Sequence, residues 1–502
     1  MVTKTDTASA VLDNEEKKST SVPVVKNYIN GSFVESSSKN IIDITDPSNG
    51  MTIAKLPLST REEFDEAVKA AKDAFPGWRE TPPLERARYF FKLKTIMEDR
   101  FDDIARVLTI EHGKTFDEAR GSVRRAIENV EVAAGIPSLM QGYSLEDVAV
   151  GIDTTVYRQP IGVFAAITPF NFPAMVPLWF FPYALATGNT FILKPSEQVP
   201  LTSNLIFELI EEIGLPPGVL NLVHGDKVVV DAICTHPDIA GVSFVGSSPV
   251  AKHVYSLASQ NGKRVQALGG AKNFVVVTDD ADIDVAVDAI VASCFGCAGE
   301  RCLAASMLLG DERIYDELRD KIVEKTSKIK LGSGLDKGVT MGPVISAAHR
   351  ERVLSYIEKG LEEGAEMLLD GRDATVEGKE GGYFLGPTIF DNVDASMTIA
   401  REEIFGPVLA MRKVSSLDDA IEQISLHPLA NTISIFTTSG ANARKFRYKV
   451  DASMIGVNIG VPAPMSFFTF GGAKGSFFGD LKAHGRDGIE FYTDKKVVIS
   501  RW

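Results

Sequence analysis

The sequence predicts an α/β protein in which mainly parallel sheets are covered by helices on both faces. Apolar strands alternate with amphipathic helices between residues 160 and 278, and a second round of the same pattern extends from about 270 to 465. Fully apolar strands that alternate with helices are typical of parallel sheets with two buried faces. The length of 502 residues suggests two to four domains, which is compatible with two such sheets.

The N-terminal part of the chain is predicted to be mainly helical. The segment Ser59-Thr-Arg-Glu62 matches a capping box and opens a helix that Pro76-Gly77 is expected to stop. Further amphipathic helices are predicted at about 84–110 and 115–136. Short β-type segments follow at 143–158, and such a strand pair often serves an edge or an interface.

The two strand-and-helix rounds contain the clearest elements. In the first round, strands are predicted at 163–167, 190–193, 220–223 and 241–245, and helices from 173 to about 187 and at 202–213, 227–235 and 249–260. In the second, strands are predicted at 274–278, 432–436 and 454–457, helices at 313–329, 346–362 and 441–449, and a last β-like run at 496–500.

Two of the predicted strand ends carry polar groups, and ligands of parallel sheets bind beyond the carboxyl ends of the strands. Lys194-Pro-Ser-Glu197 follows one strand, and Gly246-Ser247 opens a helix after another. A glycine and hydroxyls at a helix N-terminus suit a pyrophosphate. No G-x-G-x-x-G follows these strands, so the usual dinucleotide fingerprint is missing, and each site taken alone fits an ordinary helix cap equally well.

Cys302 is the best candidate nucleophile in the chain. It follows a run of small residues that leaves room for a substrate, and Arg301 stands beside it. A neighbouring cation is expected to lower the pKa of the thiol and so favour the reactive thiolate. The alternative is an ordinary buried thiol. The pair Cys294 and Cys297 is interpreted as packing, because no second pair accompanies it to bind zinc.

Composition and charge restrict the partners and the compartment. Charged residues make up 24% of the chain and the net charge is −14, which disfavours nucleic acid and anionic membranes as partners. No apolar run is long enough to span a membrane. Four cysteines suit a reducing compartment. Residues 1–24 are polar, acidic and free of arginine, which favours a cytoplasmic protein and leaves the mitochondrial matrix as the alternative.

Five motifs together resemble the aldehyde dehydrogenase superfamily from about residue 25 onwards. They are Pro169-Phe-Asn-Phe-Pro173, Lys194-Pro-Ser-Glu197, Phe244-Val-Gly-Ser247, Gly299-Glu-Arg-Cys302 and Glu403-Ile-Phe-Gly-Pro-Val408. The resemblance implies two doubly wound α/β domains with an active-site tunnel between them, and a β-hairpin oligomerisation extension. It also implies a homodimer or a homotetramer.

The resemblance divides the chain into segments. The expected parts are a flexible segment at 1–24, an NAD-binding domain at 25–138 and 159–268, a catalytic domain at 269–485, and oligomerisation segments at 139–158 and 486–502.

The same resemblance implies roles for individual residues. Cys302 is expected to attack the aldehyde, and Asn171, with the main-chain amide of Cys302, to form the oxyanion hole. Lys194 and Glu197 are expected to contact the adenosine ribose of NAD. The other expected cofactor residues are Gly246 and Ser247 at the pyrophosphate, Glu403 and Phe405 at the nicotinamide riboside, and Thr168, Phe170, Ser196 and Leu268.

One departure from the superfamily pattern narrows the expected activity. Most members have a glutamate before Leu-Gly-Gly that activates water, and here its position is Ala267 or Leu268. Neither side chain can take a proton, so the hydrolytic base is missing. With Ala271-Lys-Asn273 and the tail Gly488-Ile-Glu-Phe-Tyr492, this resembles the methylmalonate-semialdehyde dehydrogenase branch, which transfers its acyl group to coenzyme A and releases CO₂.

The substrate of that branch, methylmalonate or malonate semialdehyde, needs an anchor for its carboxylate. The branch uses Arg301 and one arginine of the pair Arg124-Arg125, and alignment favours Arg125. A solvated helix face is the alternative explanation of this pair. Two other functions stay open: a hydrolytic aldehyde dehydrogenase with another substrate, and a non-catalytic protein of the same fold.

Overall fold

The computed structural model describes residues 22–502, so the predicted flexible segment lies, up to residue 21, outside the described part of the chain. The strands are β1 (Asn27–Ile29), β2 (Ser32–Val34), β3 (Ile41–Thr45), β4 (Thr52–Pro57), β5 (Tyr143–Ala149), β6 (Ile152–Pro160), β7 (Val163–Ile167), β8 (Thr190–Lys194), β9 (Leu220–Leu222), β10 (Ile239–Val245), β11 (Arg264–Leu268), β12 (Asn273–Val277), β13 (Ala305–Asp311), β14 (Glu366–Leu369), β15 (Thr388–Asp391), β16 (Val408–Val414), β17 (Leu429–Ala430), β18 (Thr432–Phe436), β19 (Met454–Val457), β20 (Ala473–Lys474), β21 (Phe477–Gly479) and β22 (Thr493–Arg501).

The helices cover both faces of the two large sheets. They are α1 (Arg61–Glu80), α2 (Pro83–Asp99), α3 (Phe101–His112), α4 (Phe116–Ala134), α5 (Ile136–Leu139), α6 (Phe181–Ala186), α7 (Pro200–Ile213), α8 (Lys227–Thr235), α9 (Ser248–Gln260), α10 (Ile283–Phe295), α11 (Tyr315–Thr326), α12 (Ala347–Glu362), α13 (Thr398–Arg401), α14 (Leu417–Leu426), α15 (Gly440–Lys449) and α16 (Gly485–Tyr492).

The first large sheet has eight strands in the order β2-β1-β9-β8-β7-β10-β11-β21. The five middle strands are parallel to one another; they are β9, β8, β7, β10 and β11. Antiparallel strands flank them, β1 beside β9 and β21 beside β11. Every residue of β7 and β8 is buried, as predicted for a sheet covered on both faces. The edge strand β21 comes from a segment expected in the catalytic domain, so one piece of residues 269–485 completes the first sheet.

The second large sheet has seven strands in the order β14-β15-β16-β13-β12-β18-β19. All neighbours are parallel except β14 and β15. In chain order, the first strand of this sheet is β12, which follows β11 of the first sheet after a few residues. The predicted α/β architecture with two sheets covered by helices is therefore confirmed.

The strands β5, β6 and β22 form a separate three-stranded antiparallel sheet. The predicted β segments at 143–158 and 496–500 meet in it, with Val156 opposite Val497. Every residue of β5 is exposed. The hairpin is thus present, whereas its role in oligomerisation stays a prediction.

Two predicted helix boundaries near the N-terminus were wrong. The capping box of α1 uses Thr60 and Glu63 instead of Ser59 and Glu62, because the Ser59 hydroxyl accepts a hydrogen bond from Asn27 Nδ2 at 2.8 Å. The helix also continues through Pro76-Gly77 to Glu80. Burial of Trp78, whose Nε1 donates to Leu185 O at 3.0 Å, offsets the cost of the proline.

Two other predicted helices are divided. The helix predicted at 84–110 breaks at Arg100, which has non-helical dihedral angles, into α2 and α3. The segment predicted as helix from 173 to 187 holds a 3₁₀ turn (Pro177–Trp179) and the short α6, since Pro177 and Pro182 remove main-chain donors there. The remaining predicted elements agree with the structure to within a few residues.

Candidate active site

Two cavities meet at Cys302, which lines both of them. The larger one, here called the long cleft, has a volume of about 750 Å³ and lies beyond the carboxyl ends of β7, β8 and β10. The smaller one, here called the inner pocket, has a volume of about 320 Å³ and lies between α4, residues 172–179 and residues 461–484. A group bound in either cavity can therefore reach the Cys302 sulfur.

The long cleft collects nearly all the residues expected at a cofactor site. Because parallel strands end at one edge of the sheet, the loops after β7, β8 and β10 lie side by side. The expected residues that line the cleft are Thr168, Phe170, Asn171, Lys194, Ser196, Glu197, Gly246, Ser247, Glu403 and Phe405.

Leu268 differs from this expectation. It is the last residue of β11 and its side chain is buried in the core, outside both cavities. Its main-chain oxygen accepts a hydrogen bond from Gly246 N at 3.1 Å, so it supports the loop after β10. Gly269 and Gly270, the next two residues, line the cleft instead.

Lys194 and Glu197 form an ion pair at one end of the long cleft. Lys194 Nζ lies 2.9 Å from Glu197 Oε2, and the lysine side chain is buried whereas the carboxylate is partly exposed. Burial alone would raise the pKa of Glu197, but the charge and the hydrogen bond of Lys194 lower it below its usual value. Glu197 therefore presents an ionised carboxylate that can accept hydrogen bonds from hydroxyl groups.

The N-terminus of α9 opens into the middle of the cleft. Its cap residue, Ser247, makes no side-chain capping bond, so the hydroxyl is available to a ligand. A Cβ atom at Gly246 would lie 2.6 Å from the Phe244 ring, which explains the glycine before the cap. Main-chain N–H groups at a helix N-terminus and a free hydroxyl suit a phosphate group.

Glu403 lies close to the main chain of the loop after β11. Its Oε1 accepts a hydrogen bond from Ala271 N at 2.9 Å, and a Cβ atom at Gly270 would lie 2.3 Å from Oε2. Only glycine leaves room for this carboxylate. Burial raises the pKa of Glu403 to about 7, so the group changes charge near neutral pH.

Cys302 follows a tight turn in which Cys297 and Ala298 have positive φ angles. Gly299 is required there, because a Cβ atom would lie 2.1 Å from Gly406 O in the loop that carries Glu403. The small residues before Cys302 thus serve close packing between the two loops, and the site residues Cys302 and Glu403 are held relative to each other.

The pKa of Cys302 differs from the expectation. Burial, followed by the negative charge of Glu403, raises it to about 12. Arg301 lowers the pKa as expected, and so do Lys114 and a main-chain hydrogen bond, but the net shift is upward and the thiolate is not favoured. The desolvation of the sulfur exceeds the effect of the cations.

Asn171 is fixed from two sides. Its Nδ2 donates to Glu300 O at 3.0 Å, and its main-chain oxygen accepts from the buried Lys114 Nζ at 2.5 Å. One amide hydrogen of Asn171 is thereby held, and the other remains for a ligand in the cleft.

The two neighbouring arginines lie in different surroundings, and Arg125, which the alignment favours, is the one in the inner pocket. Arg125 lines the pocket, whereas Arg124 lies outside both cavities and pairs with Glu98 at 2.6 Å on the surface. Arg301 also lines the pocket, and its guanidinium group pairs with Glu118 at 3.2 Å. Cys294 and Cys297 are buried, in agreement with the packing interpretation.

Several pocket residues were missed by the sequence interpretation. Ser122 lies one helical turn before Arg125, so the 3.6-residue period offered a signal for it. Trp179, Phe470 and His484 reach the pocket only through the tertiary fold, and nothing in the sequence marked them. His349 and Arg352 of α12 line the long cleft and were also missed.

Comparisons with known proteins agree with this geometry. The model of the aldehyde dehydrogenase family matches residues 33–498. A malonate-semialdehyde dehydrogenase of Geobacillus kaustophilus is 53% identical over 96% of this chain and 100% of its own length.

Two solved structures are similar over almost the whole chain. The methylmalonate-semialdehyde dehydrogenase of Oceanimonas doudoroffii has a TM-score of 0.94 and 44% identity, covering 96% of this chain and 98% of its own. A Sinorhizobium meliloti structure with NAD, provisionally assigned the same activity, has a TM-score of 0.95 and 42% identity, covering 96% of this chain and 99% of its own. The chain belongs to the aldehyde dehydrogenase family.

Proposed function

We propose that the protein oxidises malonate or methylmalonate semialdehyde with NAD and transfers the acyl group to coenzyme A, with loss of CO₂. The observation that carries this proposal is the inner pocket, which joins Cys302 to two arginines. A carboxylate next to the aldehyde would meet a planar cationic group there. The names of the similar proteins support the same substrate class.

NAD is the cofactor whose parts match the long cleft. An ionised Glu197 suits ribose hydroxyls and repels the additional phosphate of NADP, and the α9 N-terminus with Ser247 suits the pyrophosphate. Glu403, whose carboxylate lies against Gly270, is assigned to the second ribose of NAD. Phe405 is assigned to the nicotinamide ring. When bound, NAD supplies the acceptor for the aldehyde hydride.

Attack by Cys302 requires removal of its proton, because the resting sulfur is a thiol. Glu403 lines the same cleft, and above its pKa of about 7 it is a carboxylate that can accept this proton. The sulfur then bonds to the aldehyde carbon. The free amide hydrogen of Asn171 and the main-chain N–H of Cys302 bind the oxyanion, and one such donor is typically worth ~3–4 kcal/mol.

Oxidation leaves a thioester on Cys302 whose acyl group still carries the carboxylate. Cleavage of the bond to the carboxylate releases CO₂ and leaves its electron pair as a thioester enolate, which takes up a proton. This step needs no base. The coenzyme A thiolate then attacks the thioester carbonyl and the Cys302 sulfur leaves.

Water is a poor acceptor in this site. The family's hydrolytic glutamate corresponds to Ala267 or Leu268 in this chain. Both side chains are buried among apolar residues and neither can accept a proton. A thioester without a base is hydrolysed slowly. We therefore expect acyl-coenzyme A as the product, whereas accumulation of free acid would favour a hydrolytic aldehyde dehydrogenase.

The test is NADH formation across a panel of aldehydes, with and without coenzyme A, followed by mass spectrometry of the products. With malonate semialdehyde and no coenzyme A, one rapid turnover of NADH should precede a stall. Free acid formed at the rate of NADH while coenzyme A is present would contradict the proposal.

We also propose that the three-stranded sheet joins subunits in a homodimer or homotetramer. Leu145, Val150 and Ile499 are exposed apolar residues of this sheet and its hairpin turn. Analytical ultracentrifugation of the wild type and of a Leu145→Asp, Ile499→Asp variant tests this, and an unchanged sedimentation coefficient would remove the sheet from the interface.

A further inference from the structure

The inner pocket contains buried polar atoms without a partner. Within residues 22–502, the Ser122 hydroxyl and both ring nitrogens of His484 have no hydrogen-bond partner. Both residues line the pocket, and they are only 3% and 4% exposed. An unpaired buried polar group costs ~1–3 kcal/mol, and nearly all such groups in folded proteins are paired. Their position on the pocket wall therefore indicates a polar ligand.

Ser122 shares a helix face with Arg125. Glu118, Ser122, Arg125 and Asn129 of α4 are spaced by four, three and four residues, which puts them on one stripe of the helix. All four line the inner pocket. The polar atoms of Asn129 are already used, by Arg125 O at 2.9 Å and by the Tyr183 hydroxyl at 3.2 Å. Arg125 is engaged as well, by Glu128 Oε2 at 2.7 Å, by Met465 Sδ at 3.2 Å and by Pro464 O. Ser122 therefore has the one buried side-chain polar atom of this stripe that lacks a partner within residues 22–502.

His484 lies on an aromatic wall of the same pocket. Its ring centroid is 4.8 Å from Trp179 and 5.6 Å from Phe470, in edge-on and tilted contacts. Burial lowers the pKa of His484 to about 3, and the positive charge of Arg125 lowers it too. The ring is therefore neutral and has one N–H donor, which has no partner within residues 22–502.

Arg301, like Arg125, already contacts protein groups. Its Nε donates to Cys297 Sγ at 3.3 Å, and its two terminal nitrogens contact Ala292 O at 3.4 Å and Glu118 Oε1 at 3.2 Å. Glu118 Oε1 also accepts a hydrogen bond from Cys297 N at 2.6 Å. The ion pair of Arg301 and Glu118 therefore braces the turn that presents Cys302.

We infer that Ser122 and His484 bind the carboxylate of the semialdehyde together with Arg125 and Arg301. A hydroxyl and a neutral ring N–H add two donors to those of the guanidinium groups, and a carboxylate accepts up to four hydrogen bonds. This inference rests on the proposed function for its substrate. It differs from the proposed anchor by adding two residues.

The test compares an aldehyde with a carboxylate to one without. Ser122→Ala and His484→Phe should each lower kcat/KM for malonate semialdehyde about tenfold more than kcat/KM for propanal, mainly through KM. His484→Asn should recover most of the loss, because asparagine keeps an N–H donor.

A matched control is available in α7. Ser203 also has a buried hydroxyl without a partner within residues 22–502, but it lies outside both cavities. Ser203→Ala removes the same group and should leave the preference between the two aldehydes unchanged. If Ser203→Ala changed the ratio of kcat/KM values for the two aldehydes to a similar extent, the change would reflect a general loss of stability and not the loss of a ligand contact.

Inhibition of propanal oxidation by 3-hydroxypropionate separates this inference from the proposed function. This ion has the carboxylate and no aldehyde, so its competition should weaken about tenfold in Ser122→Ala and His484→Phe even if the semialdehyde is not the substrate. Equal losses on both aldehydes with unchanged inhibition would mean that the unpaired atoms bind only water. A selective loss of inhibition in Arg301→Leu, with Ser122→Ala and His484→Phe unaffected, would leave the carboxylate to the arginines alone.

Discussion

Asn171 Nδ2 donates a hydrogen bond to Glu300 O, two residues before Cys302, at 3.0 Å. This bond ties the proposed oxyanion donor to the turn that carries the proposed nucleophile. Asn171→Ala should lower kcat about 10²–10³-fold, because one oxyanion donor is lost. Pre-steady-state NADH formation measures the effect. A loss below fivefold in a folded variant would assign the oxyanion to other donors.

Cys302→Ala should abolish NADH formation and leave NAD binding intact, since the sulfur forms the covalent adduct and does not shape the adenosine end of the cleft. Quenching of tryptophan fluorescence by NAD gives the binding constant, and a single-turnover assay gives the NADH yield. A stoichiometric NADH burst from the variant would remove the nucleophile assignment.

Glu403→Gln should have opposite effects on thiol reactivity and on turnover. Glu403 is ionised above its pKa of about 7, and its charge raises the pKa of Cys302. At pH 9 the variant should therefore react with iodoacetamide several times faster than the wild type.

Turnover of the same variant should fall, because the proposed proton acceptor is lost. In the wild type, kcat/KM should decline as the pH drops through about 7, where the carboxylate is protonated, and this limb should vanish in Glu403→Gln. Faster alkylation combined with undiminished turnover would leave Glu403 as a purely electrostatic neighbour.

Arg125→Leu should impair oxidation of the semialdehyde acid far more than that of propanal, by ~2–4 kcal/mol in transition-state binding. Arg124→Leu is the matched control, because it removes the same group one residue away, outside both cavities. The ratio of kcat/KM values for the two aldehydes is the measurement. Equal ratios in the two variants would exclude Arg125 as the anchor.

Leu268→Glu should introduce slow hydrolysis of the acyl enzyme. Leu268 and Ala267 point to opposite faces of β11, and Leu268 belongs to the apolar cluster against which Cys302 packs. Free acid released without coenzyme A, measured by mass spectrometry, is the expected product.

Ala267→Glu is the control for this substitution. Ala267 belongs to the other cluster, with Phe244 and Val254, so a carboxylate there should lower the melting temperature without hydrolysis. Hydrolysis by Ala267→Glu alone would show that the base position lies on the other face.

The order of strands and helices was readable from the sequence because it depends on local patterns. Strands such as β7, β8, β18 and β19 are largely apolar, and helices such as α8 and α9 show a clear period and recognisable ends. The predicted helix boundaries were wrong where contacts between distant parts of the chain determine the boundary. Ser59 forms a hydrogen bond with Asn27 and does not cap the helix. Pro76 stays within the helix because Trp78 is buried. The pairing of β21 with β11, far apart in the chain, was equally beyond local pattern.

For the site, the sequence by itself determined which reactive groups are present: one cysteine with a glycine-rich approach, an acid before a Gly-Pro turn, polar groups at strand ends, and no acid at 267 or 268. The tertiary structure alone decided their environment. It places Arg125, which alignment already favours, in the inner pocket, keeps the Leu268 side chain outside the cleft, and brings His484 and Ser122 to the same pocket. It also raised the pKa of Cys302, because desolvation depends on what the fold packs around a group and not on its neighbours in the chain.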